Sequence, residues 1–265
     1  MRPLLAGDSP VGILLLHGFS GGPSSFTSLE PALRPLGLPL AVPRLRGHGE
    51  ASPLGLAGIT WADWLADASS ALATLRAALG AGAGAENGSV IVVGHSMGAL
   101  LALLLAAEQP GAIDSLVLVA TPLQLGSPLA PGRPLGGLVP LLGRLLRRWP
   151  LPKDYVDAAL AASDPSYPWV PMDALLSFLE LIGVARRRLP EVKQPALILH
   201  STADRVVAPA AANLLAAEIG SPSSRVRTAW FERSGHELFR DVEQDTVIGA
   251  VVAFVSERIR LASGG

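Results

Sequence analysis

The chain has 265 residues, 21 basic and 22 acidic, for a formal charge of −1. A chain of this length can bury its own core without a disulfide or metal staple. It contains no cysteine, which excludes disulfides, a thiolate nucleophile, Cys-ligated zinc and iron–sulfur clusters, and its near-neutral charge gives no general case for nucleic-acid binding.

Hydrophobic residues make up 49% and charged residues 16%, against roughly 25% charged in ordinary soluble domains. The best apolar run, residues 99–107, falls far short of the about 20 residues a membrane-spanning helix needs. Residues 1–9 lack the apolar stretch of about 7–15 residues of a signal peptide. The expectation is a soluble, cytoplasmic protein.

In chain order, the aliphatic run 11–16 reads as a strand buried on both faces. Residues 23–36 follow as a helix, and 38–42 as a second strand closed by Pro43. Residues 60–79 keep the spacing of about 3–4 of an amphipathic helix through Trp61, Trp64, Leu65, Ala68, Leu72 and Leu75. A Gly/Ala loop spans 80–88. Strand 90–93, helix 97–108 and strand 115–120 come next. Strands 196–200 and 225–231 and a closing helix 242–259 complete the pattern. This alternation predicts an α/β fold with a mostly parallel central sheet flanked by helices. The rhythm breaks between 121 and 195, where a Pro- and Gly-rich stretch precedes the apolar helical pieces 141–149 and 175–189. Residues 122–172 are therefore expected to form a cap inserted into a core made of 1–121 and 173–265.

Gly94-His95-Ser96-Met97-Gly98 fits G-x-S-x-G. The strand 90–93 enters the motif and a helix leaves it, the context a strained strand-to-helix nucleophile turn requires. A plain Gly-rich turn capped by serine shares the composition but needs neither flank. Ser96 is the expected nucleophile. With that turn, the acid and then the histidine follow the serine in the chain. His17, His48 and His95 precede or sit within the motif, and His200 lies before the best acid candidate. That leaves His236, in a loop between the last strand and the last helix, as the base. Asp204, just beyond strand 196–200, is the expected acid that orients the His236 ring; Glu232 is the weaker rival. The oxyanion donors are expected to be the backbone N–H groups of Met97 and of Phe19, in the loop His17-Gly18-Phe19 after the first strand.

Leu14-Leu15-Leu16-His17-Gly18-Phe19, Pro43-Arg44-Leu45-Arg46-Gly47-His48-Gly49, Gly94-His95-Ser96-Met97-Gly98, Asp204-Arg205-Val206-Val207 and Ser234-Gly235-His236 occur in that order. With them the chain resembles α/β-hydrolases of the bacterial monoacylglycerol lipase and carboxylesterase group, over about residues 12–254. Thr60-Trp61-Ala62-Asp63-Trp64 is similar to the helix that follows the R-G-H-G loop in that group. The resemblance implies a short cap over the site, no cofactor, and hydrolysis of small-molecule fatty-acyl esters. Phe19, Leu138 and Leu142 are the side chains expected to contact the acyl group.

Other chemistries share such a site: acyl transfer, and thioester, amide, lactone or carbon–carbon cleavage. A binding or signalling protein on the same fold is the reading of a different class. No metal-ligand spacing connects the five histidines. Gly80-Ala81-Gly82-Ala83-Gly84 precedes a strand rather than following one, so it is not a dinucleotide loop. Arg144, Arg147 and Arg148 could make transient contact with anionic lipid, although an ordinary amphipathic cap helix explains them more simply. The chain is expected to be a monomer or a homodimer.

Overall fold

The computed structural model describes residues 11–83, 88–130, 134 and 145–263. The expected acyl contacts Leu138 and Leu142, together with Arg144, lie outside the described residues. Six parallel strands form the central sheet: β1 (Val11–Leu16), β2 (Leu40–Ala41), β3 (Ser89–His95), β4 (Ile113–Val119), and, after the insertion, Ala196–Ser201 and Val226–Phe231. The segment between β4 and these two strands, where the cap was expected, holds an antiparallel pair, β5 (Arg148–Pro150) and β6 (Trp169–Pro171), so the last two sheet strands are β7 and β8. The order across the large sheet is β2-β1-β3-β4-β7-β8. This is the expected α/β-hydrolase sheet.

The helices are α1 (Leu29–Leu33), α2 (Trp61–Ala83), α3 (Met97–Glu108), α4 (Ala158–Ser163), α5 (Met172–Arg188), α6 (Ala210–Glu218) and α7 (Gln244–Ser263). Alternation along each central strand divides the core in two, because successive side chains point to opposite faces. Leu14, Leu16, Val90, Val92, Leu116 and Leu118 join one cluster with α2, α3 and α5. Ile13, Leu15, Ile91, Val93, Val117 and Val119 join the other with α1 and α7. Each such side chain contributes about 1.5–3 kcal/mol on leaving water, which is why these strands read as unbroken aliphatic runs. Helix α3 is buried from Met97 to Ala106, sandwiched between the sheet and α2 and α5, and so carries no polar stripe.

Three sequence expectations change. The helix expected at 23–36 breaks into 3₁₀ turns at Pro23–Phe26 and Arg34–Leu36 around the five-residue α1. Pro31 and Pro35 lack the N–H groups that a continuous helix would use. Helix α2 runs on through Ala83, into the stretch expected to loop. The apolar piece expected to be helical at 141–149 ends as strand instead, with Arg148 and Trp149 paired to Pro171 and Val170.

Helix α2 starts where Asp63 accepts hydrogen bonds from both the Thr60 amide and its hydroxyl, one half of a capping box, which fixes the first turn. Asp63 and Asp67 also receive the Arg46 guanidinium, which anchors the R-G-H-G loop on α2. Strand order reverses at β1. The chain goes from β1 to β2 on one side and then crosses to β3 on the other. In open parallel sheets the crevice at the carboxyl ends beside such a reversal is where ligands bind, and the loops after β1 and β3 are His17–Phe19 and Ser96.

Candidate active site

Ser96 sits on the turn between β3 and α3 with φ 52° and ψ −119°, a strained conformation for a residue with a side chain. The flanking glycines make it possible. A Cβ on Gly98 would lie 1.9 Å from the Leu16 carbonyl oxygen, and one on Gly94 would lie 2.4 Å from the Gly98 oxygen. The Ser96 amide donates to the Val119 carbonyl at 2.8 Å, which ties the turn to the neighbouring strand.

The three side chains singled out in the sequence come together here. His236 Nε2 is 2.9 Å from Ser96 Oγ, and His236 Nδ1 is 2.8 Å from Asp204 Oδ2. The other Asp204 oxygen accepts the amides of Val206 and Val207 at 2.8 Å each, so the carboxylate is fixed by its own loop. Glu232, the rival acid, has no contact with the ring among the described interactions. Burial alone would raise the Asp204 pKa, but the charge and hydrogen bond of His236 and the Val207 amide hold it below the usual carboxylate range. Burial alone would lower the His236 pKa; the Asp204, Glu237 and Asp154 carboxylates outweigh it and push the ring up to about 9.

The other histidines are structural neighbours of this site. His95 Nε2–H donates to the His236 carbonyl at 3.1 Å. His17 Nε2 accepts the Leu45 amide at 3.2 Å, joining the first loop to the R-G-H-G loop, and its ring stands 5.0 Å from that of His48. Burial lowers the pKa of His17 to about 4 and that of His48 to about 3, so both are neutral. Among the described residues, the amide N–H groups of Phe19 and Met97 donate to no other group. The Met97 amide also opens α3, where the helix dipole favours negative charge.

A cavity of about 310 Å³ lies over Ser96, walled by Phe19, Trp149, Leu151, Leu175 and Phe178. The Phe19 ring stacks on Phe178 of α5, with centroids 4.8 Å apart. Sequence reasoning missed Asp154. It is buried, and its Oδ2 accepts the Arg205 amide at 2.8 Å and the His236 amide at 3.1 Å. Its backbone carbonyl also accepts the His236 amide, at 3.0 Å. Asp241, likewise buried, accepts the amides of Val156 and Gly235 at 2.8 and 2.7 Å. Tyr167 was missed as well; its hydroxyl accepts from the Glu50 amide and donates to the Gly47 carbonyl. No local spacing marks these residues, since each acts on a segment more than 80 residues away or on a loop whose path the sequence does not reveal.

Residues 10–243 match the family model Hydrolase_4, described as serine aminopeptidase, S33. The chain belongs to this α/β-hydrolase family. Within it, the chain is 28% identical over 259 residues to the thermostable monoacylglycerol lipase of Bacillus sp. (strain H-257), covering 97% of this chain and 94% of that one. It is 29% identical to a pimeloyl-[acyl-carrier protein] methyl ester esterase of Aromatoleum aromaticum, over 89% of this chain and 95% of the relative. Among solved structures, a lipolytic enzyme from the metagenome-derived LipS and LipT pair superposes with a TM-score of 0.82 at 28% identity, covering 97% of both chains. The Hydrolase_4 fold is shared more widely: the monoacylglycerol lipase of Paleococcus ferrophilus has a TM-score of 0.75 at 20% identity. Among the described residues, no helix is long and apolar enough to cross a membrane.

Proposed function

We propose that this ester-hydrolysing α/β-hydrolase cleaves small carboxylic esters with short-to-medium acyl chains, monoacylglycerols among them, through Ser96, His236 and Asp204. The observation that carries the reading is the hydrogen-bonded file from Ser96 Oγ to His236 to Asp204 at the floor of an apolar-walled cavity. His236 takes the Ser96 proton as Oγ attacks the acyl carbonyl, and Asp204 stabilises the imidazolium that forms. The Phe19 and Met97 amides receive the oxyanion. His236 then protonates the leaving alcohol, and water repeats the sequence to free the acid.

The acyl chain lies against Phe19, Phe178 and Leu175. The cavity volume sits at the low end of ligand sites, which run about 300–1,000 Å³, and that favours small substrates. Residues 122–172 serve as a cap, supplying Trp149, Leu151 and Tyr167 to the wall. The two full-length relatives named above act on esters, and this supports the substrate class. The family description favours amides as a second reading.

The test is a p-nitrophenyl ester and monoacylglycerol chain-length series on the purified protein, run beside an aminoacyl p-nitroanilide and repeated with Ser96→Ala. Ester turnover that Ser96→Ala removes is the expected result. Anilide turnover exceeding ester turnover selects the amide reading, and wild-type ester turnover in Ser96→Ala overturns the nucleophile.

A further inference from the structure

Three groups beside the nucleophile form an arrangement that ester hydrolysis does not require. A ring nitrogen of His95, a ring nitrogen of His236 and a carboxylate oxygen of Glu237 all lie within 4.8 Å of one another. The protonation pattern is set by the hydrogen bonds. His95 Nε2 faces a carbonyl, which can only accept, so its proton is on Nε2 and the lone pair is on Nδ1. That Nδ1 lies 4.0 Å from Glu237 Oε2. A Cβ built on Gly18 would lie 3.3 Å from the same nitrogen, and Gly18, His236 and Glu237 all line the cavity. A small ion entering with solvent meets His236 and Glu237 directly, and His95, buried, lies behind Gly18 as the inner ligand. On His236, Nδ1 is committed to Asp204, which leaves Nε2, now hydrogen-bonded to Ser96 Oγ at 2.9 Å, as the nitrogen a cation would take by displacing the serine hydroxyl.

We propose that His95, His236 and Glu237 bind a first-row divalent cation, best represented by Zn²⁺, which occupies the active-site base and switches hydrolysis off. Two imidazoles and one carboxylate make a familiar zinc donor set that leaves a fourth position open. Asp204 behind His236 supplies the carboxylate–histidine–metal relay that orients a ligating imidazole. Zinc–ligand bonds of about 2.0–2.2 Å require the three atoms to draw in from their present separations of up to 4.8 Å, by rotation of the partly exposed Glu237 together with a shift of the His236 ring away from Ser96. Magnesium and calcium prefer all-oxygen sites and do not fit this donor set. The chain has no cysteine, so zinc inhibition cannot arise from a thiolate. The inhibitory half of the proposal rests on His236 being the base; the binding half does not.

The experiment is a calorimetric titration of EDTA-treated full-length protein with Zn²⁺ and with Mg²⁺ at pH 8, alongside p-nitrophenyl butyrate turnover. The expected result is one Zn²⁺ per chain, inhibition that saturates at the same stoichiometry and reverses with EDTA, and no response to Mg²⁺. Glu237→Gln weakens binding and inhibition together by at least about tenfold, whereas Ser96→Ala still binds Zn²⁺ with native affinity. Absence of stoichiometric binding, or native Zn²⁺ affinity in Glu237→Gln, overturns the site. Native binding without inhibition overturns the switch and places the fault in the assignment of His236. The His17–His48 pair is the competing location, and because Glu237 is not part of it, the same variant separates the two.

Discussion

Replacing Asp154 by alanine tests whether the proposed cap, residues 122–172, is needed to hold His236, the proposed base, in place. The carboxylate makes three bonds: to the Arg205 amide at 2.8 Å, to Arg205 Nε at 2.9 Å, and to the His236 amide at 3.1 Å. The His236 amide keeps the Asp154 carbonyl as a partner at 3.0 Å, so its loss is partial. The Arg205 amide is left without an acceptor at a part-buried position, a loss of about 1 kcal/mol, the low end for an unsatisfied buried donor. The Arg205 side chain is 75% exposed, so its ion pair contributes at most about 1 kcal/mol. The sum is about 1–2 kcal/mol, a fall in Tm of about 2–8 °C for a chain of this size. Freed from one of its two acceptors, the His236 loop drifts, and a displacement of about 1 Å at a catalytic group costs about 100-fold; kcat is expected to fall by a factor of ten or more, and KM by less. Urea denaturation and p-nitrophenyl butyrate kinetics read both quantities. Arg205→Ala is the control, because it removes the ion pair but keeps the amide bond, and it should cost less than about 1 kcal/mol. If Asp154→Ala matches Arg205→Ala in stability and kcat, the clamp does not act as described.

Further outcomes are expected. Ser96→Ala should lower kcat by at least about 10⁴-fold with an unchanged circular dichroism spectrum; wild-type turnover contradicts the assignment. The kcat/KM profile should rise with pH through an apparent pKa above the ordinary histidine value of 6.5, because His236 is pushed up to about 9 and only its neutral form accepts the proton; an acid limb at or below 6.5 contradicts this. By the same sign, the stabilisation from the His236–Asp204 pair is complete below 6.5 and lost as pH rises through about 9. Gly98→Ala should fold poorly or lose more than about 3 kcal/mol by thermal melting, since its Cβ would stand 1.9 Å from the Leu16 oxygen. Phe178→Ala, which removes the ring stacked on Phe19, should lower kcat/KM for octanoate esters more than for acetate; equal losses place the acyl chain elsewhere.

Much of the sheet was legible because both its faces are covered, so β1, β3, β4 and β7 appear as plain aliphatic runs. The short edge strand β2 and the 23–36 region were less so, since two prolines break the helix while leaving its apolar spacing intact. Ser96, His236 and Asp204 could be read because each follows a strand at the same edge of the sheet. Asp154, Asp241 and Tyr167 could not, because their partners are backbone amides and carbonyls, which have no signature in side-chain sequence. The insertion was visible only as a break in rhythm, and its strand pair β5–β6 rests on tertiary pairing of two three-residue segments.

The bifurcated hydrogen bond from the His236 amide to Asp154 bears on how freely the parts of such a protein can be recombined. The insertion supplies both acceptors of that amide, through one side chain and one carbonyl, and Gly235 is kept side-chain-free because a Cβ there would lie 2.4 Å from the Asp154 oxygen. A designer who grafts another roof onto this sheet to change substrate range must carry over the Asp154–Gly235 contact, or rebuild it, together with the new walls. With residues 122–172 as the proposed cap and His236 as the proposed base, the two pass on as one unit, and loop-shuffling libraries that cut between residues 121 and 173 should lose turnover wherever that contact is not restored.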